Sequence, residues 1–114
     1  MQECVFCRIA RGEIPVQLLW DTPAVAAFRD ANPQAPIHIL IVPKKHIPSL
    51  DALQEEDGGL VDELFKAARE LARREGCAER GYRVVINTGA DGGQTVPHLH
   101  LHLMAGREFG WPAG

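Results

Sequence analysis

No stretch of this sequence approaches the roughly 20 consecutive apolar residues that a membrane-spanning helix needs, so no membrane partner is expected. The first residues, Met1-Gln2-Glu3-Cys4, lack the basic-then-apolar pattern of an export signal, which makes a cytoplasmic protein the expectation. Positive charge is scarce too: 12 Lys and Arg stand against 15 Asp and Glu, and a net charge of −3 leaves no general basic field for nucleic acid. Cysteine is limited to Cys4, Cys7 and Cys77, an odd number that cannot close into a disulfide framework. The close pair Cys4-x-x-Cys7 points instead to metal or redox chemistry, and Cys77 reads as structural. Internal repeats and low-complexity segments are absent.

What is present suits one compact domain over residues 1–114, because 46% of the residues are hydrophobic and the length is ordinary for a single core. Residues 4–14 suit a short helix or turn ahead of Pro15. Leu18-Leu19-Trp20 and residues 24–28 flank the turn Asp21-Thr22-Pro23 and predict an antiparallel hairpin. Past the broken segment Asn32-Pro33-Gln34-Ala35-Pro36, the β-branched residues 38–42 predict a third strand ended by Pro43. Leu60, Val61, Leu64, Phe65, Ala68, Leu71 and Ala72 recur at helical spacing, with i,i+4 charge pairs opposite and Gly76 placed to stop the helix. Residues 82–86 predict a strand, residues 87–95 a glycine-rich loop, and residues 98–104 a last strand. Strands, one long helix, then strands predict an α+β fold with a mainly antiparallel sheet.

The chemistry concentrates at the end. In a strand His98, His100 and His102 share one face while Leu99, Leu101 and Leu103 share the other. Three unpartnered imidazoles are costly to bury, so the trio calls for a function. Two readings compete: imidazole ligands of a catalytic metal, or a nucleophilic site. The preceding segment Asn87-Thr88-Gly89-Ala90-Asp91-Gly92-Gly93-Gln94-Thr95 offers backbone N–H groups, the Gln94 amide and the Thr95 hydroxyl to phosphate oxygens, and glycines such as Gly93 let a ligand approach. That favours phosphate chemistry.

The run His98-Leu99-His100-Leu101-His102-Leu103-Met104 matches the signature of the histidine-triad nucleotide-binding proteins, alternating histidine with apolar residues. Phe28-Arg29-Asp30, Pro33-Gln34-Ala35-Pro36, Pro43-Lys44-Lys45-His46 and Gly110-Trp111-Pro112 extend the resemblance over nearly the whole chain. The terminal tryptophan makes it similar to the Hint branch, the purine nucleoside phosphoramidases, rather than to the dinucleoside polyphosphate hydrolases. The resemblance implies a five-stranded sheet with one long helix and a short N-terminal helix, in a homodimer that extends the sheet. It also implies that His100 attacks the α-phosphorus of an AMP- or GMP-type phosphoramidate and forms a nucleotidyl-histidine, with no metal required. His102 then supports the phosphate, His38 orients the triad, Thr95 serves the leaving nitrogen, and Asn87 holds a phosphate oxygen. Asp30 accepts the ribose hydroxyls, Phe28 and Ile9 form the base slot, and Trp111 reaches the partner's site. Ala31, where relatives carry a larger aliphatic, and Pro97, where several carry an aromatic, depart from the pattern. Cys4 and Cys7, with His46 and His98, match a structural zinc set in some relatives, the alternative being two thiols packed as small apolar groups. Polyphosphate cleavage, or a nucleotide-binding adaptor with incidental hydrolysis, are the alternatives for function.

Overall fold

In a computed structural model the described residues are 4–114, so the stretch 1–3, expected to carry no export signal, lies outside them. Helix α1 (Val5–Ala10) is followed by strands β1 (Trp20–Asp21), β2 (Val25–Arg29) and β3 (Ile37–Pro43), helix α2 (Gly58–Arg74), and strands β4 (Arg83–Val85) and β5 (Leu101–Ala105). The five strands form one antiparallel sheet in the order β1-β2-β3-β5-β4. This is the expected α+β architecture. No helix among the described residues is long and apolar enough to cross a membrane.

The two-residue period of the strands builds two cores. Val25, Ala27, Ile39, Ile41, Leu101 and Leu103 face α2, which supplies Leu64, Ala67, Ala68, Leu71 and Ala72. Ala26, Phe28, Leu40 and Val42 face the other way and are covered by Phe6, Ile9 and Ala10 of α1. Because β3 is buried on both faces its sequence is almost uniformly apolar, with His38 the exception. His38, Leu40 and Val42 share a parity, so His38 lies on the α1 side. Register pairs Leu40 with His102 and His38 with Met104, which makes His38 and His102 diagonal neighbours on that side.

Four details differ from the sequence reading. The first strand is only Trp20–Asp21, and its pairing with β2 ends at Thr22, whose hydroxyl accepts the Val25 N–H at 3.1 Å. Strand β3 keeps Pro43 as its last residue, opposite Val25. Phe65, placed on the apolar stripe of α2, is 49% exposed, and Ala67 takes the inward position. The ladder of β5 begins at Leu101, not at residue 98. The Leu99 N–H goes to the Ile47 carbonyl (2.7 Å) and that of His98 to the Val96 carbonyl (2.8 Å), so the chain pairs with the segment after β3 before it joins the sheet. Gly76 does end α2, in the left-handed region at φ 76°.

Candidate active site

The five histidines of the chain form two groups of rings that Phe6 of α1 joins. His46 and His98 lie 5.0 Å apart by centroid, His100 and His102 4.9 Å, and His102 and His38 5.2 Å. The edge of Phe6 packs on His100 at 5.1 Å and on His98 at 6.0 Å. Phe6 was not singled out in the sequence. Its signal was its place between the two cysteines, as the one aromatic residue of a short helix.

Hydrogen-bond partners assign the ring tautomers. His100 Nδ1 donates to the carbonyl of His98 at 2.7 Å, so its lone pair sits on Nε2. His38 Nδ1 accepts the backbone N–H of Gln34 at 3.0 Å, which places the His38 proton on Nε2. That proton goes to His102 Nδ1 at 2.9 Å, with Asp30 Oδ2 a second acceptor at 3.4 Å. His102 therefore carries its proton on Nε2, a buried atom with no partner among the described residues. A backbone amide thus sets, through two rings, a free N–H donor beside the Nε2 lone pair of its neighbour.

Burial lowers the proton affinity of His38, His98 and His102. It pushes the His102 imidazole down to about 4, helped by the nearby His100 and His38 and opposed by Asp30. His38 is lowered for the same reason, with Asp30 again opposing. His98 is lowered by burial, against the raising effect of the hydrogen bond from its Nε2 to the Pro43 carbonyl at 2.8 Å.

The other expected residues lie in different surroundings. Asp30 sits beside His38, its Oδ1 accepting the Asn32 N–H at 2.8 Å. Phe28 and Ile9 are buried with Phe6 in the α1 core. Asn87 and Thr95 bracket the glycine loop, half-buried and exposed, and neither side chain has a hydrogen-bond partner among the described residues. Gly93 and Gln94 enter as loop-formers. The Gly93 N–H is given to Ala90, and the Gln94 amide accepts from Gly89 (3.0 Å) and donates to Pro48 (2.7 Å) and Val96 (3.0 Å). Gly92 makes the tight point, since a Cβ there would stand 2.3 Å from the Thr88 carbonyl oxygen. Trp111 is 86% exposed on the C-terminal segment.

Among the described residues, His98, His100 and His102 do not form one cluster of metal-type donor atoms, which speaks against a metal held by all three together. His98 instead turns its Nδ1 to Cys4 Sγ (3.4 Å), Cys7 Sγ (3.5 Å) and His46 Nδ1 (3.2 Å), while Cys7 Sγ lies 3.3 Å from His46 Nδ1. All four donor atoms lie within 4.8 Å of one another. Tetrahedral zinc with ordinary Zn–N and Zn–S bonds requires edges of about 3.3 to 3.8 Å, so donor type and spacing both fit a closed four-ligand site. The bond from His98 Nε2 to Pro43 leaves Nδ1 unprotonated for this purpose, as ligating histidines generally require. Asp30, His38 and His102 also cluster, but their facing atoms are joined by the hydrogen bonds described above. Lys45, next to His46, is anchored by the buried Asp57 carboxylate at 2.7 Å, which ties this corner to the start of α2.

The HIT domain family profile matches residues 11–109. An uncharacterized HIT-like protein of Synechocystis is 45% identical over 113 residues, covering 99% of this chain and 98% of its own. Among solved structures, a HIT family hydrolase from Legionella pneumophila superposes with a TM-score of 0.95 at 46% identity, over 98% of this chain and 100% of that one. A histidine triad nucleotide-binding protein from Candida albicans gives 0.82 at 31% identity, over 98% and 85%.

Proposed function

Because the chain belongs to the HIT domain family, we propose that it is a nucleotide-binding hydrolase that cleaves the P–N bond of purine nucleoside phosphoramidates through a nucleotidyl-His100 intermediate. The observation that carries this reading is the 2.7 Å bond from His100 Nδ1 to the His98 carbonyl, which leaves the Nε2 lone pair as an oriented nucleophile. Nε2 attacks the α-phosphorus, and the P–N bond to the leaving amine breaks as that nitrogen takes up a proton, for which the Thr95 hydroxyl is the assigned donor. Water then attacks the phosphorus and returns a proton to the Thr95 oxygen, the bond to Nε2 breaks, and nucleoside monophosphate leaves. One water is consumed and the imidazole is restored.

The unpartnered Nε2–H of His102 is the natural donor to a non-bridging phosphate oxygen, where negative charge builds up. Its low proton affinity keeps it a neutral donor at pH 7. Asp30 retains lone pairs for the two ribose hydroxyls, because a carboxylate accepts about four hydrogen bonds and only one short one is made internally. Phe28 and Ile9 supply apolar surface for the base, and Asn87 a phosphate contact. Zinc is the ion we assign to Cys4, Cys7, His46 and His98, where it would cross-link α1 to the sheet as a structural ion with no ligand position left for substrate. A second copy of the chain is the proposed partner: β4 leaves one sheet edge open, and Phe65, Tyr82 and Trp111 are exposed.

Parent protein and His100→Ala, incubated with an adenosine phosphoramidate and separately with a dinucleoside polyphosphate, test the reading. Phosphoramidate turnover by the parent alone supports it. Equal turnover by the variant, or preference for the polyphosphate, overturns it.

A further inference from the structure

His98 belongs to both the metal-type cluster and the phosphate site, and the inference drawn from this rests on the function proposed above. The residue is fully buried, and each of its polar side-chain and carbonyl groups is committed. Nδ1 faces Cys4, Cys7 and His46, Nε2 donates to Pro43, and the carbonyl accepts the His100 Nδ1–H. The last bond fixes which nitrogen of His100 carries the lone pair. A second link runs through α1, because Phe6, set between the two cysteines, packs its ring edge on both His98 and His100. A helix of six residues has no stability of its own, so what holds its thiols also holds Phe6 against the nucleophile.

We propose that Cys4, Cys7 and His46 are positioning residues for His100. A divalent ion of the class that prefers thiolate and imidazole, held by them with His98, fixes the His98 ring, hence its carbonyl, hence the Nδ1–H tautomer of His100. Without the ion, two Nδ1 atoms face each other at 3.2 Å with two thiols at 3.3–3.5 Å. Those donors then bond among themselves in several arrangements, and the carbonyl of His98 is no longer held in one place. Occupancy of the cluster therefore acts on the chemical step, at a distance from the substrate.

The test uses the full-length protein labelled with ¹⁵N, and long-range ¹H–¹⁵N spectra that report which ring nitrogen of His100 is protonated. Three samples are compared: the zinc-loaded parent, the parent stripped with a chelator, and His46→Ala, a change at an exposed position. The expected result is one Nδ1–H tautomer in the loaded parent and a mixture in the other two. With adenosine phosphoramidate, kcat falls on the order of tenfold or more in those two, while KM stays within about twofold. A single Nδ1–H tautomer and full kcat in both metal-free samples would overturn the proposal, as would a parent that takes up no zinc. If the tautomer follows zinc but no sample turns over phosphoramidate, the coupling is supported and the substrate assignment fails instead. The stripped parent, which carries no substitution, keeps the test independent of how His46→Ala folds.

Discussion

His102 shows how far a single proton can be traced at the residue scale. Its Nε2–H is fixed by a chain of donors that starts at the Gln34 backbone amide, and it is left without a partner among the described residues. Replacing it with alanine removes a donor poised for a phosphate oxygen, so kcat is expected to fall about 10²- to 10³-fold with little change in nucleotide affinity, read by steady-state kinetics and calorimetry. The same burial has a consequence for stability. With its folded value near 4 and its unfolded value near 6.5, the ring takes up fewer protons folded than unfolded between those limits. Stability is therefore full above about pH 6.5 and declines as the pH falls toward 4, by at most about 3 kcal/mol for this group. His38 and His98 shift in the same direction and add to the decline. Denaturation midpoints measured across pH 4–7.5 check this, and a flat profile would contradict it. The triad itself was legible in the sequence because alternation puts three histidines on one side. The Gln34 amide and the Pro43 carbonyl were not, because backbone groups carry no residue signature.

At the scale of elements, the glycine loop over residues 87–95 and the helix α2 give opposite responses to one methyl group. Gly92→Ala would press a Cβ onto the Thr88 carbonyl, and destabilisation of about 1–3 kcal/mol is expected, with loss of activity because the loop is tied through Gln94 to Val96 and so to His98. Gly59→Ala, in open space on α2, is expected to stabilise by up to about 1 kcal/mol. Urea denaturation of the two variants separates these effects, and equal shifts would contradict the loop's role. Helix α2 was plain in the sequence from its apolar period and from Gly76. The start of β5 was not: alternation continues through His98 and Leu99, but their amides pair with Val96 and Ile47, and only tertiary contact decides that. Phe65 misled for a related reason, since its position satisfies the helical period while the sheet receives Ala67.

At the scale of the whole molecule, the antiparallel α+β fold could be read from the order of elements, but the sheet order could not. Strand β5 enters between β3 and β4 through pairings distant in sequence, which no local pattern encodes. The open edge at β4 and the exposed Phe65, Tyr82 and Trp111 lead to an expected dimer in light scattering, and replacement of Phe65 by a charged residue should shift it toward monomer. A chain that is monomeric at every concentration would remove the second copy from the proposal. The most direct test of the nucleotidyl-histidine mechanism is the mass of the intact chain, quenched in acid-free denaturant during turnover of an adenosine phosphoramidate. The expected result is a fraction of the protein heavier by one adenylyl group, mapped by peptide fragmentation to His100 and missing from His100→Ala. Steady turnover with no such adduct, or an adduct mapped to another residue, would contradict it.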